Sequence, residues 1–405
     1  MFEKLDDVPW SDLRHAYGPA DDVPGQLRAL RSDDADVRKK SLWNLFGNIF
    51  HQGTRYEASA HAVPFLLELV AEPSTPSRES LIELLVALAI GYDESYLPGG
   101  FPLADLRAAA AGGDALLRDG GWARLDVLDE ADQNRLLARV ELNAYEAVAA
   151  GVPLFVSLLS DPSPAVRRMS AYALGWLPIS AALGGAAAST PLGGAAVSSA
   201  LGAAAVSSAL GGAVGDGDAS VAATAALSLG LLGAAAEGAL DDPRPVVRGA
   251  AAIALAKAHG RAAPRAVVDE LLRLAGNGEA TDVPYLDGDL AGYAARSLAL
   301  VLPDDSDEAL DVLLGRIPAV TGVEALPVVG EALRRVFPDG STAAGTLFDD
   351  LTERQKRVVR VLADSPSTWL FLERAFGNFA WLIGSYGLPS DADKMRAYID
   401  AATTP

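Results

Sequence analysis

Apolar residues recur along this chain at a spacing near 3.6, the period of helices that each bury one face. Val37, Leu42, Leu45, Phe46 and Ile49 predict a first helix over 35–50, closed by His51-Gln52-Gly53. Thr54-Arg55-Tyr56-Glu57 has the spacing of a capping box, so a second helix is predicted to start at Thr54. Pro64 lies within the apolar stretch that follows, where it either kinks this helix or restarts it. Further helices are predicted near 77–90 and over 264–274, 289–302, 306–314 and 323–337.

A returning phrase organises these helices: a turn with Asp and Pro, then Val, then Arg, then an Ala/Leu-rich run. It reads Asp34-Ala35-Asp36-Val37-Arg38, Asp161-Pro162-Ser163-Pro164-Ala165-Val166-Arg167, Asp218-Ala219-Ser220-Val221 and Asp242-Pro243-Arg244-Pro245-Val246-Val247-Arg248. A repeated supersecondary unit cannot bury its apolar face alone, so neighbouring units must stack into a continuous core. Tyr56-Glu57-Ala58 through Val63-Pro64 also returns as Tyr145-Glu146-Ala147 through Val152-Pro153, which predicts two equivalent helices. Between them a Gly/Pro loop over 92–100 and a less regular stretch to about 132 depart from the rhythm, at a place where repeat proteins put binding insertions.

Val152-Pro153, an apolar run to Leu158-Leu159, Asp161-Pro162, Val166-Arg167 and the helix to Leu177 together resemble the HEAT-repeat family. More narrowly they resemble the short bacterial repeats that also occur in phycobilisome lyases. The resemblance covers most of 30–335 and is closest at 152–177 and 241–257. It implies an all-α solenoid, a right-handed superhelix of antiparallel helix pairs. It also implies that Asp161, Arg167, Asp242 and Arg248 join neighbouring repeats as scaffold. Ala222 stands where the third copy would carry its Arg, which puts that link in doubt. The expected division is an N-terminal cap over 1–30, repeats over 31–178, a low-complexity insert over 179–217, repeats over 218–340 and a helical cap over 341–405.

The insert repeats a nonapeptide, Leu-Gly-Gly-Ala-Ala-Val-Ser-Ser-Ala, led by Leu183, Leu192, Leu201 and Leu210. Val166 and Val221 stand 55 positions apart, whereas Val221 and Val247 stand 26 apart. Removing three nonapeptides, 27 residues, leaves 28, so we infer a tandem expansion of one repeat's second helix. No charge occurs from Met169 through Gly215. The stretch is Ala, Gly and Ser rather than Leu, Ile and Phe and has no basic flanks, so a loop or poor helix is expected and not a membrane span.

Composition narrows the function. With 405 residues, half of them hydrophobic, the chain can bury a large core. It has no cysteine, which removes disulfides, thiol nucleophiles and thiolate metal sites. The acidic start Met1-Phe2-Glu3-Lys4-Leu5-Asp6-Asp7 is unlike a secretory signal, so a cytoplasmic location is expected. The formal charge of -20 repels phosphate backbones and attracts basic partners, although a charge of this sign also serves solubility alone. The C-terminal aromatics Trp369, Phe371, Phe376, Phe379, Trp381 and Tyr386 suit a cover for the last apolar face, or else a ligand pocket.

Candidate chemistry concentrates near the N-terminus. Glu57 and His61 are spaced i,i+4 and share a helix face, as a base and its orienting partner would. Structural roles compete: a capping Glu57, His51 at a helix C-terminus and an exposed His61. No Gly-rich phosphate loop, His-Glu-x-x-His or Gly-x-Ser-x-Gly pattern occurs. The leading expectation is a scaffold that grips a protein or peptide, favoured if basic, in a concave groove with Trp43, His51, Tyr56, Glu57, His61, Tyr145 and Glu146 as binding residues. It needs no metal or cofactor and excludes nucleic acid and membrane as partners. The resemblance also admits a lyase-like enzyme on the same scaffold. A DNA glycosylase comes third, since the acidic charge opposes it.

Overall fold

The computed structural model describes residues 1–178, 202–278, 280–342 and 345–401. The chain divides into two compact units, Met1–Val221 and Ala222–Pro405. The first contains helices α1 (Val23–Ala29), α2 (Ala35–Asn48), α3 (Glu57–Ala71), α4 (Arg78–Ile90), α5 (Leu103–Ala109), α6 (Gly113–Arg118), α7 (Glu130–Ala149), α8 (Val152–Leu158), α9 (Pro164–Trp176) and α10 (Ala203–Ala213). Two short hairpins interrupt it, β1 (Arg14–His15) with β2 (Gly18–Pro19) and β3 (Phe50–His51) with β4 (Thr54–Arg55). Its core is a stack in which α3 packs on α4 and α7, α4 on α7 and α9, and α8 on α9. Leu45, Leu66, Leu69, Leu84, Leu85, Tyr145, Phe155 and Trp176 fill it.

The second unit, taken by itself, is also an all-α stack: it contains most of α11 (Ala219–Leu231), then α12 (Pro245–His259), α13 (Arg265–Gly276), α14 (Leu290–Val301), α15 (Asp307–Arg316), α16 (Ala325–Val336) and α17 (Glu353–Asp364). There α12, α14 and α16 pack in one layer while α13 and α15 pack in the other, so each helix meets its pair partner and its counterpart in the next repeat. A hairpin of β5 (Leu370–Phe371) and β6 (Arg374–Ala375), then α18 (Gly377–Ser385) and α19 (Ala392–Asp400), completes it. Trp369 and Phe379 are buried edge to face, at 5.0 Å between rings. Phe371 and Trp381 stay exposed, so only part of the aromatic set covers the core.

The returning phrase has a physical explanation at each turn. Asp161, Asp216 and Asp242 accept the backbone N–H two residues on, from Ser163, Asp218 and Arg244, at 2.8–2.9 Å. Ser32 does the same for Asp34 at 3.2 Å. The Arg of the following helix then reaches back across the turn. Arg167 Nη1 donates to the carbonyls of Asp161 and Pro162, Arg248 Nη1 to those of Asp242 and Pro243, and Arg38 Nη1 to those of Ser32 and Asp33, at 2.7–3.2 Å. In the copies without Pro at the first helical turn, Asp34 and Asp218 cap the free amides of Asp36 and Val37 and of Ser220 and Val221. Pro164 and Pro245 stand at the first helical position, where a missing N–H costs no helical hydrogen bond.

The same groups join neighbouring repeats. Arg78, at the start of α4, pairs with Asp161 at 2.8 Å, and both side chains are buried. Arg167 pairs with Asp216 through Nε and Nη2 at 2.7 and 3.0 Å, and this carboxylate raises the Arg167 pKa. Where Ala222 replaces the Arg, Asp242 takes Arg244 of its own turn instead, and that guanidinium lowers the Asp242 pKa to about 2. Ala222 itself is fully buried.

Several local expectations are corrected. The segment at 50–55 is a hairpin and not a helix stop followed by a cap, because Gln52 and Gly53 both take positive φ, 50° and 87°, as a two-residue primed turn requires. Thr54 is therefore a strand residue and α3 begins at Glu57, where Tyr56 N donates to Ser59 Oγ at 2.8 Å and Ser59 N to the Tyr56 carbonyl at 3.0 Å. Helix α3 runs through Pro64 without a restart. In the second copy Gly151 replaces Ala62, the helix ends at Ala149, and Pro153 stands in the first turn of a new helix, so the two Tyr-Glu phrases are not equivalent. Of the stretch 179–217, expected as a loop or poor helix, residues 203–213 form α10 with Val206 and Leu210 buried, while 179–201 lie outside the described residues.

Two outcomes follow. Arg78→Ala leaves the Asp161 carboxylate buried without its counter-charge and should lower unfolding stability by about 3 kcal/mol or more, and a denaturant midpoint close to wild type would refute this reading of the pair. Deleting 183–209 sets Ile179 four positions before Leu210, where Val206 now stands. The shortened chain should keep its melting temperature within roughly 5 °C, and insoluble protein would show that the repeats are integral to the core.

Candidate functional site

The first turns of α3 lie between the β3–β4 hairpin and the stretch that breaks the repeat rhythm. That stretch is ordered as α5, α6 and a 3-10 turn over Gly121–Val127, and all three pack against α7. From there Trp122 donates its backbone N–H to Glu57 Oε1 at 2.9 Å, and its ring lies 4.9 Å from that of Tyr56, tilted by 47°. Gly121 makes this approach possible, because its φ is positive (50°) and a Cβ there would collide with the Glu57 carboxylate.

Tyr56 borders a cleft of about 190 Å³. Tyr56, Glu57, Ala60 and His61 line it from α3 and its cap, Val140 and Asn143 from α7, and Leu13 and Leu117 complete the wall. Burial lowers the His61 pKa, so the imidazole is neutral near pH 7, and its Nδ1 is buried with no hydrogen-bond partner among the described residues. An unmet buried polar atom costs about 1–3 kcal/mol unless something fills it. Burial, and then the nearby Tyr17 hydroxyl, raises the Tyr56 pKa. Tyr17 in turn meets His51, hydroxyl to Nδ1 at 3.3 Å, with the rings edge to face.

Of the seven expected binding residues, Tyr56, Glu57 and His61 share this cleft, and His51 adjoins it through Tyr17. Trp43 is 79 % exposed and lines a separate open hollow of about 420 Å³ on α2, beside Lys39, Lys40 and Phe46. Glu146 is half-buried on α7. Tyr145 is a correction: it is 1 % exposed, stacks on Phe101 at 5.2 Å and donates its hydroxyl to the Trp176 carbonyl at 3.0 Å. It holds α7 and the insertion together in the core and is out of a partner's reach. Glu57 and His61 make no hydrogen bond to each other, so the orienting contact of a base pair is missing. Tyr17, Trp122 and Asn143 escaped the sequence reading. Asn143 alone left a trace, three positions after Val140 on one helix face.

Beside this site runs a buried polar cluster. Arg55 is 4 % exposed and pairs with Glu141 of α7 at 2.9 Å; desolvation raises the Glu141 pKa and Arg55 opposes it. Tyr172 donates to the buried Asp93 at 3.1 Å. These bonds fix the insertion and the hairpin against the repeat helices.

Comparison with known proteins gives one family match, the HEAT repeat, over residues 152–175, which contain α8, its Asp-Pro turn and most of α9. An engineered protein of known crystal structure is 19% identical over 85% of this chain and 89% of its own, with a TM-score of 0.28. No curated protein matches. Among the described residues no helix is long and apolar enough to cross a membrane.

Tyr145→Ala should lower stability by about 3 kcal/mol or more, while Tyr56→Ala, at the half-open cleft, should change it by about 1 kcal/mol or less; equal losses in denaturant melts would refute the separation. The unfolded chain protonates His61 near pH 6.5 and the folded chain only at lower pH, so stability falls as pH drops through that window. In His61→Gln the urea midpoint should decline less than in wild type between about pH 7.5 and about pH 5.5; parallel declines would show that His61 does not contribute.

Proposed function

We propose that this helical-repeat protein is a binding scaffold whose N-terminal unit holds a protein or peptide partner at the cleft between α3 and α7. The observation that carries the reading is the insertion 91–132, which leaves the repeat pattern and delivers Trp122 to Tyr56 and Glu57 at the cleft. An ordered departure from a repeat is where such scaffolds acquire a specific ligand. The HEAT-type repeat is consistent with it, since stacked helix pairs present extended binding surfaces. The exposed indole of Trp43 is a second anchor in this reading, as aromatic side chains supply much of the energy of protein interfaces. The charge of -20 favours a basic protein over a nucleic acid.

Site-specific photocrosslinking in the native host tests it. A benzophenone side chain at Leu117, on the cleft wall, should yield a discrete protein adduct, and one at the exposed Lys394 should not. Equal adduct patterns at both positions, or none at Leu117, would overturn the assignment.

A further inference from the structure

The chemistry of this cleft specifies more than a generic protein contact. Among the lining residues Glu57 is the only charged side chain, and neither Lys nor Arg reaches the wall. Its Oε1 receives the Trp122 N–H, while its other oxygen takes no hydrogen bond among the described residues. The Asn143 side chain, which lines the cleft from α7, also makes none among them. Burial keeps His61 neutral, so it brings no competing positive charge. The Tyr56 ring lines the same cleft, packed against the Trp122 ring, and faces of such rings attract cations. Leu13, Leu117 and Val140 give the remaining wall an apolar surface.

We propose that the cleft between α3 and α7 is a recognition site for one alkylammonium or guanidinium group, the charged end of a lysine or arginine side chain. Glu57 supplies the counter-charge, Tyr56 the aromatic ring, Asn143 a carbonyl acceptor, and the apolar wall holds the aliphatic stem. An anion would meet the Glu57 carboxylate with no cation to offset it. A purely apolar ligand would leave Glu57, His61 and Asn143 without partners. At about 190 Å³ the space takes one side chain and falls short of the roughly 300–1,000 Å³ typical of pockets for larger ligands. The inference rests on the reading that this cleft receives the partner, and it adds what the cleft reads. The same chemistry fits a basic side chain of that partner or a free small amine.

Saturation-transfer NMR on the full-length protein tests the site, with the methylamides of Nα-acetyl-lysine, Nα-acetyl-arginine and Nα-acetyl-norleucine as probes. Lysine or arginine side-chain protons should be saturated and norleucine's should not. Glu57→Gln keeps the acceptor for the Trp122 N–H while removing the charge, and should weaken binding at least about tenfold. Ala60→Leu fills the cleft without altering its charge and should abolish the signal, whereas Glu130→Gln, at the start of α7, should leave it unchanged. Norleucine binding equal to lysine, or an undiminished signal in Glu57→Gln or Ala60→Leu, overturns the proposal. The Leu117 crosslink separates the two readings. An adduct that forms with wild type and is competed by the lysine probe supports both. Probe binding with no protein adduct supports a free amine as ligand and removes the protein partner. A protein adduct from a chain that binds neither charged probe removes the cation site and leaves the scaffold reading standing.

Discussion

The fold depends on how each repeat closes its turn. A helix pair can stack on the next only if the backbone groups between them are satisfied, and here one Asp or Ser and one Arg do most of this. The carboxylate takes an N–H two residues on, and the guanidinium clamps two carbonyls of the same turn. Because the guanidinium has donors to spare, Arg167 also reaches the Asp of the neighbouring repeat. One side chain thus fixes both the turn and the spacing between repeats. The third copy illustrates the dependence: without its Arg, Asp242 turns to Arg244, and the interaction survives as a bond within one turn.

That regularity frees the irregular part of the first unit to take another task. The insertion packs its own anchors, Phe101 on Tyr145 and Asp93 under Tyr172, against helices the repeats have already positioned. Only then does it hold Trp122 over the first turn of α3. Burial in this arrangement has two effects at once. It keeps His61 neutral, and it leaves Glu57 as the single charge facing a recess with aromatic and apolar walls. A chain with a charge of -20 gains little selectivity from one more exposed carboxylate. A recessed carboxylate beside aromatic rings recognises a cation by shape as well as charge.

The sequence by itself determined the helical repeat, because a 3.6-residue apolar period and an Asp-Pro-Val-Arg phrase are local signals with local causes. It also singled out Tyr56, Glu57 and His61, which lie within two turns of one helix, and the insertion as a place of departure. It misread the hairpin at 50–55 because Gln52 and Gly53 adopt positive φ in a segment whose letters also fit a helix end and a cap. It paired Tyr145 with Tyr56 because the letters match, yet burial depends on which neighbour covers a helix face. Tertiary structure alone decided that Phe101 and Trp176 enclose Tyr145, that Tyr17, Trp122 and Asn143 meet Tyr56 and His61, and that Glu57 keeps one oxygen free. Those contacts join residues up to 87 positions apart, from Tyr56 to Asn143 of one lining. No short-range pattern records such contacts, because they exist only once the core has packed.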